Sequence, residues 1–271
     1  MHRTWKLKVA SIFLIVFSLA LIMGCAEKTE PQQTDDTAKT EEKAEEEKVY
    51  INGIDPDFPP FGYVDENGDP AGFDVESVNW IADEMGFEVK HQPTAWDGIV
   101  ESLRSGKIDF IASGMSITEE RKKVISFTIP YWKTRLAVAV REDSDITYED
   151  VLAGEHTIGV QRSTTSAMWI EHTLIEEGEM EQDQLVNYDS FSLALQDLIN
   201  GRIDAAMQDE TMVRDAMSKR PIKIVGAHDS GEAYGYGVRQ EDDELREMLN
   251  EGIRRLQESP RWDELKEKYG M

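Results

Sequence analysis

The sequence contains a single cysteine among its 271 residues, and it has far fewer positive than negative charges. One cysteine excludes an intrachain disulfide and any metal site built from several thiolates. The 54 Asp and Glu residues outnumber the 29 Lys and Arg residues, giving a formal net charge of -25. We therefore expect no nucleic-acid partner, because phosphate binding needs a basic surface, and a cationic partner is favoured instead.

Patterns typical of catalysis are also scarce. The five histidines show neither metal-ligand spacing nor the setting of a Ser/His/Asp nucleophile. With 54 acidic residues, a pair of neighbouring carboxylates carries almost no information about general acid or base chemistry. The sequence thus predicts no catalytic residue, no metal and no cofactor.

The amino terminus has the features of an export signal. A basic start containing Arg3, Lys6 and Lys8 precedes the uncharged run 9–23. This run is shorter than the roughly 20 residues that a membrane-spanning helix needs. We therefore predict that residues 1–24 are a signal peptide and that the mature protein is extracytoplasmic.

The end of that segment resembles a bacterial lipobox, since it reads Ile-Met-Gly before Cys25. The resemblance implies that Cys25 becomes the first residue and carries a lipid such as palmitate, which anchors the lipoprotein to the cell membrane. An ordinary signal with an unrelated cysteine is the alternative. Residues 25–48 contain no aliphatic side chain larger than Ala after Cys25, so they are predicted to form a disordered acidic tether.

From residue 49 onward, short β-rich runs alternate with helical stretches, which predicts an α/β fold. The predicted strands are 49–54, 88–92, 108–112, 136–140, 157–160, 184–187, 203–207 and 222–225. The predicted helices are 74–85, 96–105, 166–177, 191–200, 211–219 and 243–258.

Two segments of this region match each other. SLRSGKIDFIASG at 102–114 aligns without gaps to DLINGRIDAAMQD at 197–209, at a constant offset of 95 residues. The match predicts two lobes of like topology. The alternative is a chance match, because helix-Gly-strand patterns are common. Gly114 and Asp209 then occupy equivalent places at the carboxyl ends of two strands, where α/β sheets bind ligands.

Several motifs resemble those of the polar amino-acid solute-binding proteins of ABC importers. They are GFDV at 72–75, SGKIDFIASGMSITEERKKVISFTIPYW at 105–132, VQRSTTS at 160–166, GRIDAAMQDE at 201–210 and YGVRQEDDELREMLNEGIRRLQES at 236–259. The resemblance implies the two-lobed, type II periplasmic-binding-protein-like fold with two crossover hinge strands. Lobe 1 would be 49–140 plus 236–271, and lobe 2 would be 141–235, with hinges near 140–142 and 234–238.

The resemblance also assigns the charged head of the ligand. A free amino acid carries a carboxylate and an ammonium, so its receptor needs a cation and an anion that face each other. Arg121 suits the carboxylate because a guanidinium holds it through two parallel hydrogen bonds. Asp209 is expected to bind the ammonium. Without the resemblance, Arg121 would be read as a solvated surface residue and Asp209 as a turn or cap.

Other positions are assigned to the cleft in the same way. Gly114, Met115 and Ser116 follow the first strand of the repeat, and Thr164 and Thr165 open a helix in the second lobe. Their amides and hydroxyls are expected to reach the ligand head, and they serve equally as ordinary helix caps.

The ligand side chain is expected to lie between Phe58 and Trp96, with Asp55 and Gln161 reading its far end. Asp55 favours a basic amino acid, namely Arg, Lys, ornithine or His, with Gln or another neutral polar amino acid as the alternative. Asp55 also suits a turn before Pro56.

The resemblance therefore implies a monomeric binding protein, not an enzyme, that captures an amino acid by hinge closure and delivers it to an ABC transporter permease. Two alternatives use the same fold. One is a dehydratase-like enzyme with a cleft carboxylate as acid or base, and the other is a sensor module that presents its ligand to a receptor.

Overall fold

Two five-stranded sheets organise residues 48–271, which are the residues that this computed structural model describes. The predictions for the signal peptide and Cys25, and all but the last residue of the tether, lie outside these residues. In spatial order, the first sheet consists of β5 (Glu88–Pro93), β1 (Val49–Ile54), β6 (Phe110–Ile111), β15 (Gly237–Val238) and β7 (Ser126–Phe127). The second consists of β11 (Leu185–Tyr188), β10 (Ile158–Gln161), β12 (Ala205–Asp209), β9 (Leu136–Arg141) and β13 (Ile222–His228).

The two sheets have the same topology. In each, the three strands at one end are parallel, and the remaining two run antiparallel to their neighbours. Strand β15 in the first sheet occupies the place that β9 occupies in the second. We call the elements around the first sheet lobe 1 and those around the second sheet lobe 2.

The position of β9 corrects one boundary of the sequence-based division, which placed residues 136–140 in lobe 1. These residues pair with β12 and β13, and they therefore belong to lobe 2. Leu-Ala-Val-Ala-Val is buried throughout, so its pattern fits the centre of either sheet. Only the partner strands, which the sequence does not reveal, decide between them.

The chain crosses between the lobes twice, beside a small antiparallel ladder of β8 (Trp132–Lys133) and β14 (Ala233–Tyr234). The first crossing lies between β8 and β9, earlier than the hinge expected at 140–142. The second includes β14, and Tyr234 of this strand begins the expected region 234–238. A separate three-stranded sheet in lobe 1 contains β2 (Asp57–Phe58), β3 (Gly62–Val64) and β4 (Pro70–Ala71).

Helices cover the sheets. They are α1 (Phe73–Met85), α2 (Trp96–Arg104), α3 (Glu119–Lys122), α4 (Tyr148–Leu152), α5 (Thr165–Ile170), α6 (Phe191–Ile199), α7 (Glu210–Met217), α8 (Asp243–Glu258) and α9 (Pro260–Tyr269). A π-helical turn (Glu171–Ile175) continues α5, and a 3₁₀ turn (Gln182–Gln184) precedes β11. Within residues 48–271, no helix is both long and apolar enough to cross a bilayer.

Each lobe is stabilised by apolar side chains packed against its sheet. In lobe 1, Phe61 and Phe73 form an edge-to-face aromatic cluster with Trp132 and Tyr234, beside the crossover ladder. In lobe 2, the apolar faces of β9, β10 and β12 pack against Ala167 and Ile170 of α5. The aromatic cluster fixes the crossover ladder to lobe 1, so the ladder forms a firm base for the cleft.

Candidate functional site

The internal repeat is present in the structure as a repeated set of contacts. Asp109 and Asp204 each accept the backbone N–H of a residue at the start of the adjacent parallel strand, at 2.9 Å in both lobes. Arg239 and Arg141 each donate to the two carbonyls that bracket the helix-to-strand turn of their own lobe. The two lobes therefore share the same helix-to-strand turn at equivalent positions of the repeat.

The two matched strands lead to opposite walls of one small cavity between the lobes. It is lined by Phe58, Trp96, Gly114, Ser116, Arg121, Gln161, Thr164, Thr165, Gln208 and Asp209. Nine of these ten residues are among the eleven that the sequence predicts. The free volume inside the cavity is only about 10 Å³, so the lobes must move apart to admit an amino acid.

Arg121 is the cation of this cavity. Thr118 caps α3 by accepting the Arg121 backbone N–H, which places the side chain in the first turn facing the cleft. The guanidinium donates to the carbonyls of Ser116, at 2.8 Å, and of Ser163, at 3.1 Å. It also lies over the ring of Trp96, 5.3 Å from the centroid. Five N–H donors on a planar fork leave further donors for a carboxylate.

Asp209 is the anion on the opposite wall, at the end of β12 and 4% exposed. Its Oδ2 accepts the Tyr234 hydroxyl at 2.6 Å, whereas its buried Oδ1 has no partner among the described residues. Burial, reinforced by Glu232, raises the pKa of Asp209 to about 7, although the Tyr234 hydrogen bond and Arg121 oppose the rise. An orphaned buried oxygen of this kind favours a bound cationic donor.

Asp55 supplies a second buried carboxylate, although it lies just behind the cavity lining. Its Oδ1 accepts the Asp57 N–H and its Oδ2 accepts the Gln161 side-chain amide from lobe 2, both at 2.9 Å. Burial raises the pKa of Asp55 to about 6, while these two hydrogen bonds lower it. Gln208 donates to Gln161 at 3.4 Å and accepts the Asp209 N–H at 3.1 Å. A chain of amides therefore joins the Asp55 carboxylate to the backbone of Asp209.

Two aromatic rings form the side walls. Phe58 and Trp96 are nearly parallel, with an interplanar angle of 12° and centroids 6.5 Å apart. Gly114 has a left-handed backbone with φ of 59°, and a Cβ at this position would lie 2.4 Å from Phe58 Cε1. Its N–H donates to the buried Asp74 carboxylate at 2.7 Å. The absence of a side chain at Gly114 thus allows the Phe58 ring to approach the cavity floor.

The turn before α5 closes the cavity from lobe 2. Ser163 has φ of 61°, and it is the one non-glycine residue with positive φ in the stretch 48–271. Its carbonyl accepts both the Trp96 indole N–H, at 3.1 Å, and the Arg121 guanidinium of lobe 1. Thr164 caps α5 with its hydroxyl, and Thr165 follows it in the cavity wall. Backbone strain of this kind is typical of functional sites.

Met115 differs from the other predicted residues. Its side chain is fully buried in the core beside Ile111 and Ile125, and its carbonyl accepts the Gly235 N–H at 3.1 Å. Among the described residues, Met115 therefore contacts the core rather than the cavity. Its assignment to the ligand site stays a prediction, and its backbone links the ligand loop to the second crossing.

Three residues near the cavity were not predicted from the sequence. Gln208 precedes Asp209 in the motif MQDE, so strand alternation alone would have placed it on the other face. Glu232 and Tyr234 lie on the second crossing, and Glu232 accepts the Ser116 hydroxyl at 2.7 Å. No local pattern marks them, because the second crossing brings them to the cleft: Glu232 is 116 residues from Ser116, and Tyr234 is 25 residues from Asp209.

Residues 48–271 contain no group of three or more His, Cys, Asp or Glu side chains arranged to hold a metal ion. Arg121 and Asp209 instead place opposite charges on facing walls of one small cavity. This arrangement is chemically suited to a small molecule that carries both a carboxylate and an ammonium.

Comparison with known proteins agrees with that chemistry. The sequence profile of the bacterial extracellular solute-binding proteins, family 3, matches residues 50–271. The probable histidine-binding protein of Neisseria gonorrhoeae is 28% identical, and the match covers 82% of this chain and 83% of the relative. The ABC transporter arginine-binding protein 1 of Escherichia coli K12 is 31% identical, over 76% of this chain and 84% of the relative.

A solved structure has the same architecture. An ancestral arginine-binding protein bound to glutamine superposes with a TM-score of 0.74 at 36% identity, covering 82% of this chain and 97% of that protein. The predicted fold class, a two-lobed α/β protein of type II, is confirmed. The predicted family resemblance is confirmed as well.

Proposed function

Because this chain belongs to the bacterial extracellular solute-binding proteins of family 3, we propose that it captures one polar L-amino acid between its lobes and delivers it to an ABC transporter permease. The observation that carries the proposal is the pair of buried, opposite charges, Arg121 and Asp209, in one cavity. The α-carboxylate would accept hydrogen bonds from the guanidinium. The α-ammonium would donate to Asp209, including the Oδ1 that has no other partner in the described part of the chain.

The side chain of the ligand is basic in this proposal. Arg121 contributes one positive charge, whereas ionised Asp209 and Asp55 contribute one negative charge each and Glu232 lies beside Ser116, so negative charge is left over. A zwitterion with a neutral side chain adds no charge, whereas arginine, lysine, ornithine or protonated histidine adds the missing positive one. A buried carboxylate without a countercharge is unfavourable, so a cationic side chain is preferred.

The aromatic walls support the same class of ligand. Parallel faces of Phe58 and Trp96 suit a flat cation or an aliphatic stem, with cation–π attraction of about 0.5–2 kcal/mol. A glutamine-type ligand is the second candidate, because the Gln161 amide already hydrogen-bonds Asp55. A ligand amide has the same donors and could replace it, and an ancestral arginine-binding protein has been solved bound to glutamine.

A thermal-shift screen of the twenty amino acids and ornithine tests this proposal, because a ligand that binds only the folded state stabilises it by mass action. Near pH 8, we expect the largest rise in melting temperature with a basic amino acid, and smaller rises with neutral ones. No shift with any of the 21 compounds would reject the proposal. A largest shift with glutamine would reject the basic ligand and keep the binding function.

The protein acts as a carrier and not as an enzyme in this account. A dehydratase-like enzyme would use a cleft carboxylate to transfer a proton, and it would change its ligand during incubation. We expect the amino acid to be recovered unchanged after prolonged incubation with the protein, by mass spectrometry. Loss of ligand at a rate proportional to protein concentration would favour the enzyme. A sensor would require a receptor in place of the permease.

We also propose that the protein is a lipoprotein, with a signal peptide at 1–24, a lipid on Cys25 and a tether over 25–48. The Ile-Met-Gly-Cys ending supports lipidation, and the charged composition of the tether suits a spacer that holds a monomeric binding body away from the membrane. Cys25→Ala should move the protein from the membrane fraction to the soluble fraction. Unchanged membrane association would argue against the lipid anchor.

A further inference from the structure

A contact between the lobes lies away from the cavity. Asp57 in β2 of lobe 1 accepts two hydrogen bonds from Ser192 of lobe 2, one from the hydroxyl at 2.7 Å and one from the backbone N–H at 3.3 Å. Ser192 lies in the first turn of α6, where backbone N–H groups have no partner inside the helix. The residue at the usual capping position, Ser190, makes no side-chain cap hydrogen bond.

We propose that Asp57 is a positioning residue that caps α6 across the cleft and so stabilises the closed arrangement of the lobes without contacting the ligand. A carboxylate at a helix N-terminus is favourable both as a hydrogen-bond acceptor and as a negative charge near the positive end of the helix dipole. Because the carboxylate is on one lobe and the helix on the other, this stabilisation exists only while the lobes are together.

Leaving aside the bonds made by residues of the two crossings, the other side-chain hydrogen bonds between the lobes within residues 48–271 all involve the cavity wall. They join Trp96 and Arg121 to Ser163, and Asp55 to Gln161. Each pair contains one residue that lines the cavity. In the Asp57–Ser192 pair, neither residue lines it, so this pair can favour closure independently of which amino acid is bound.

Helix α6 connects this contact to the rest of lobe 2. Its buried residues Phe191, Ala194, Leu195 and Leu198 pack it onto β10 and β12. Strand β10 ends at Gln161 and β12 ends at Asp209, both in the cavity wall. Fixing the start of α6 to lobe 1 therefore holds the two lobe 2 strands that carry ligand residues against the cleft.

The inference rests on the proposed function, in which the lobes close over an amino acid. We call the Asp57–Ser192 contact the latch. Apparent affinity depends on the free energy of closure, so weakening the latch should lower the affinity for every ligand by the same factor. Substitution of a residue that contacts the ligand side chain would instead lower the affinity for some ligands more than for others. An equal loss of affinity for all ligands therefore distinguishes the latch from a specificity residue.

The test is a calorimetric titration of Asp57→Ala with L-arginine and, separately, with L-glutamine, at pH 8, where Asp55 is ionised whether or not the Asp57 charge raises its pKa. We expect both affinities to fall by the same factor, about 3- to 10-fold, as for loss of one helix cap. Stopped-flow kinetics should show faster dissociation and little change in association. Ser190→Ala is the matched control, since it alters the same helix start without removing the contact, and it should bind as the wild type does.

A double-mutant cycle ties the effect to the pair. Once Asp57 is Ala, adding Ser192→Ala should cost less affinity than it does in the wild type, because the shared contact is already lost. Small-angle scattering of the ligand-free protein gives an independent measure, and Asp57→Ala should be at least as expanded as the wild type. Wild-type affinity in Asp57→Ala, additive effects in the cycle, or a loss confined to one amino acid would overturn the latch. Failure of the wild type to bind any amino acid would instead refute the proposed function, and a more compact Asp57→Ala would then overturn the latch separately.

Discussion

Asp55 is the residue on which ligand class depends most, since it is 2% exposed and hydrogen-bonded to both lobes. Asp55→Asn removes its charge and keeps its shape. We expect arginine affinity at pH 8 to fall at least about tenfold, because a hydrogen bond to a charged partner is lost, and glutamine affinity to change less than about threefold. Calorimetry with both ligands measures the difference. The control is Asp69→Asn, which removes an equal charge from an exposed loop. Equal losses of affinity for both ligands in Asp55→Asn would show that Asp55 does not recognise the ligand side chain.

The pH dependence of binding provides a second test of the same residue. Asp55 and Asp209 have pKa values raised by burial to about 6 and about 7, and each must lose its proton to attract a cation. Affinity for arginine should therefore fall as pH decreases from 8 to 5. Glutamine should show a shallower fall, because it needs only Asp209 ionised, and Asp55→Asn should give arginine the same shallow slope. Parallel slopes for the two ligands in the wild type would contradict this assignment.

For single residues, the sequence predicts the role of a side chain better than it predicts which distant residues the side chain contacts. Arg121 and Asp209 follow strand ends in recognisable motifs, so their place in the cleft could be expected. Glu232 could not, because it reaches Ser116 only through the crossover between lobes. The left-handed backbone of Ser163 was also not predictable, since serine rarely adopts a positive φ.

At the scale of elements, the connection from β6 to α3 depends on Gly114. Gly114→Ala would impose strain at φ of 59° and place a Cβ 2.4 Å from the Phe58 ring. We expect a stability loss of about 1 kcal/mol or more, together with weaker binding of every amino acid because Phe58 must move. Thermal melting and calorimetry on the same sample measure both effects.

Gly106→Ala is the matched control for that element. Gly106 is also left-handed, with φ of 74°, but a Cβ there has no atom within 4 Å. This variant should lose comparable backbone stability and keep its ligand affinity. Equal binding losses in both variants would mean that strain alone, rather than the contact with Phe58, weakens the site.

Most of the longer elements follow from the sequence, whereas α9, which was not predicted, and the shortest strands do not. Helix α8 has its predicted bounds, and α1 and α6 differ from theirs by one residue at one end, because apolar periodicity over many residues outweighs local ambiguity. Two-residue strands such as β7 and β15 contain too few positions for any alternation to be detected. Strand β9 was predicted as a strand and placed with the wrong sheet.

For the whole molecule, the repeat at an offset of 95 residues was the most informative feature of the sequence, because it predicted two sheets with facing edges. The first crossing between them was expected too late in the chain, since strand order depends on contacts between distant parts of the chain. Together the sheets place Arg121 from lobe 1 opposite Asp209 from lobe 2. The account of function depends on this pair gripping the head of one amino acid.

The most direct test is a calorimetric titration of the wild type and Arg121→Lys with L-arginine. The wild type should bind one molecule per protein. The lysine variant should bind at least about tenfold more weakly, because an ammonium cannot hold the carbonyls of Ser116 and Ser163 and also form a bidentate pair with the ligand carboxylate. Near-wild-type affinity in Arg121→Lys would contradict the central claim.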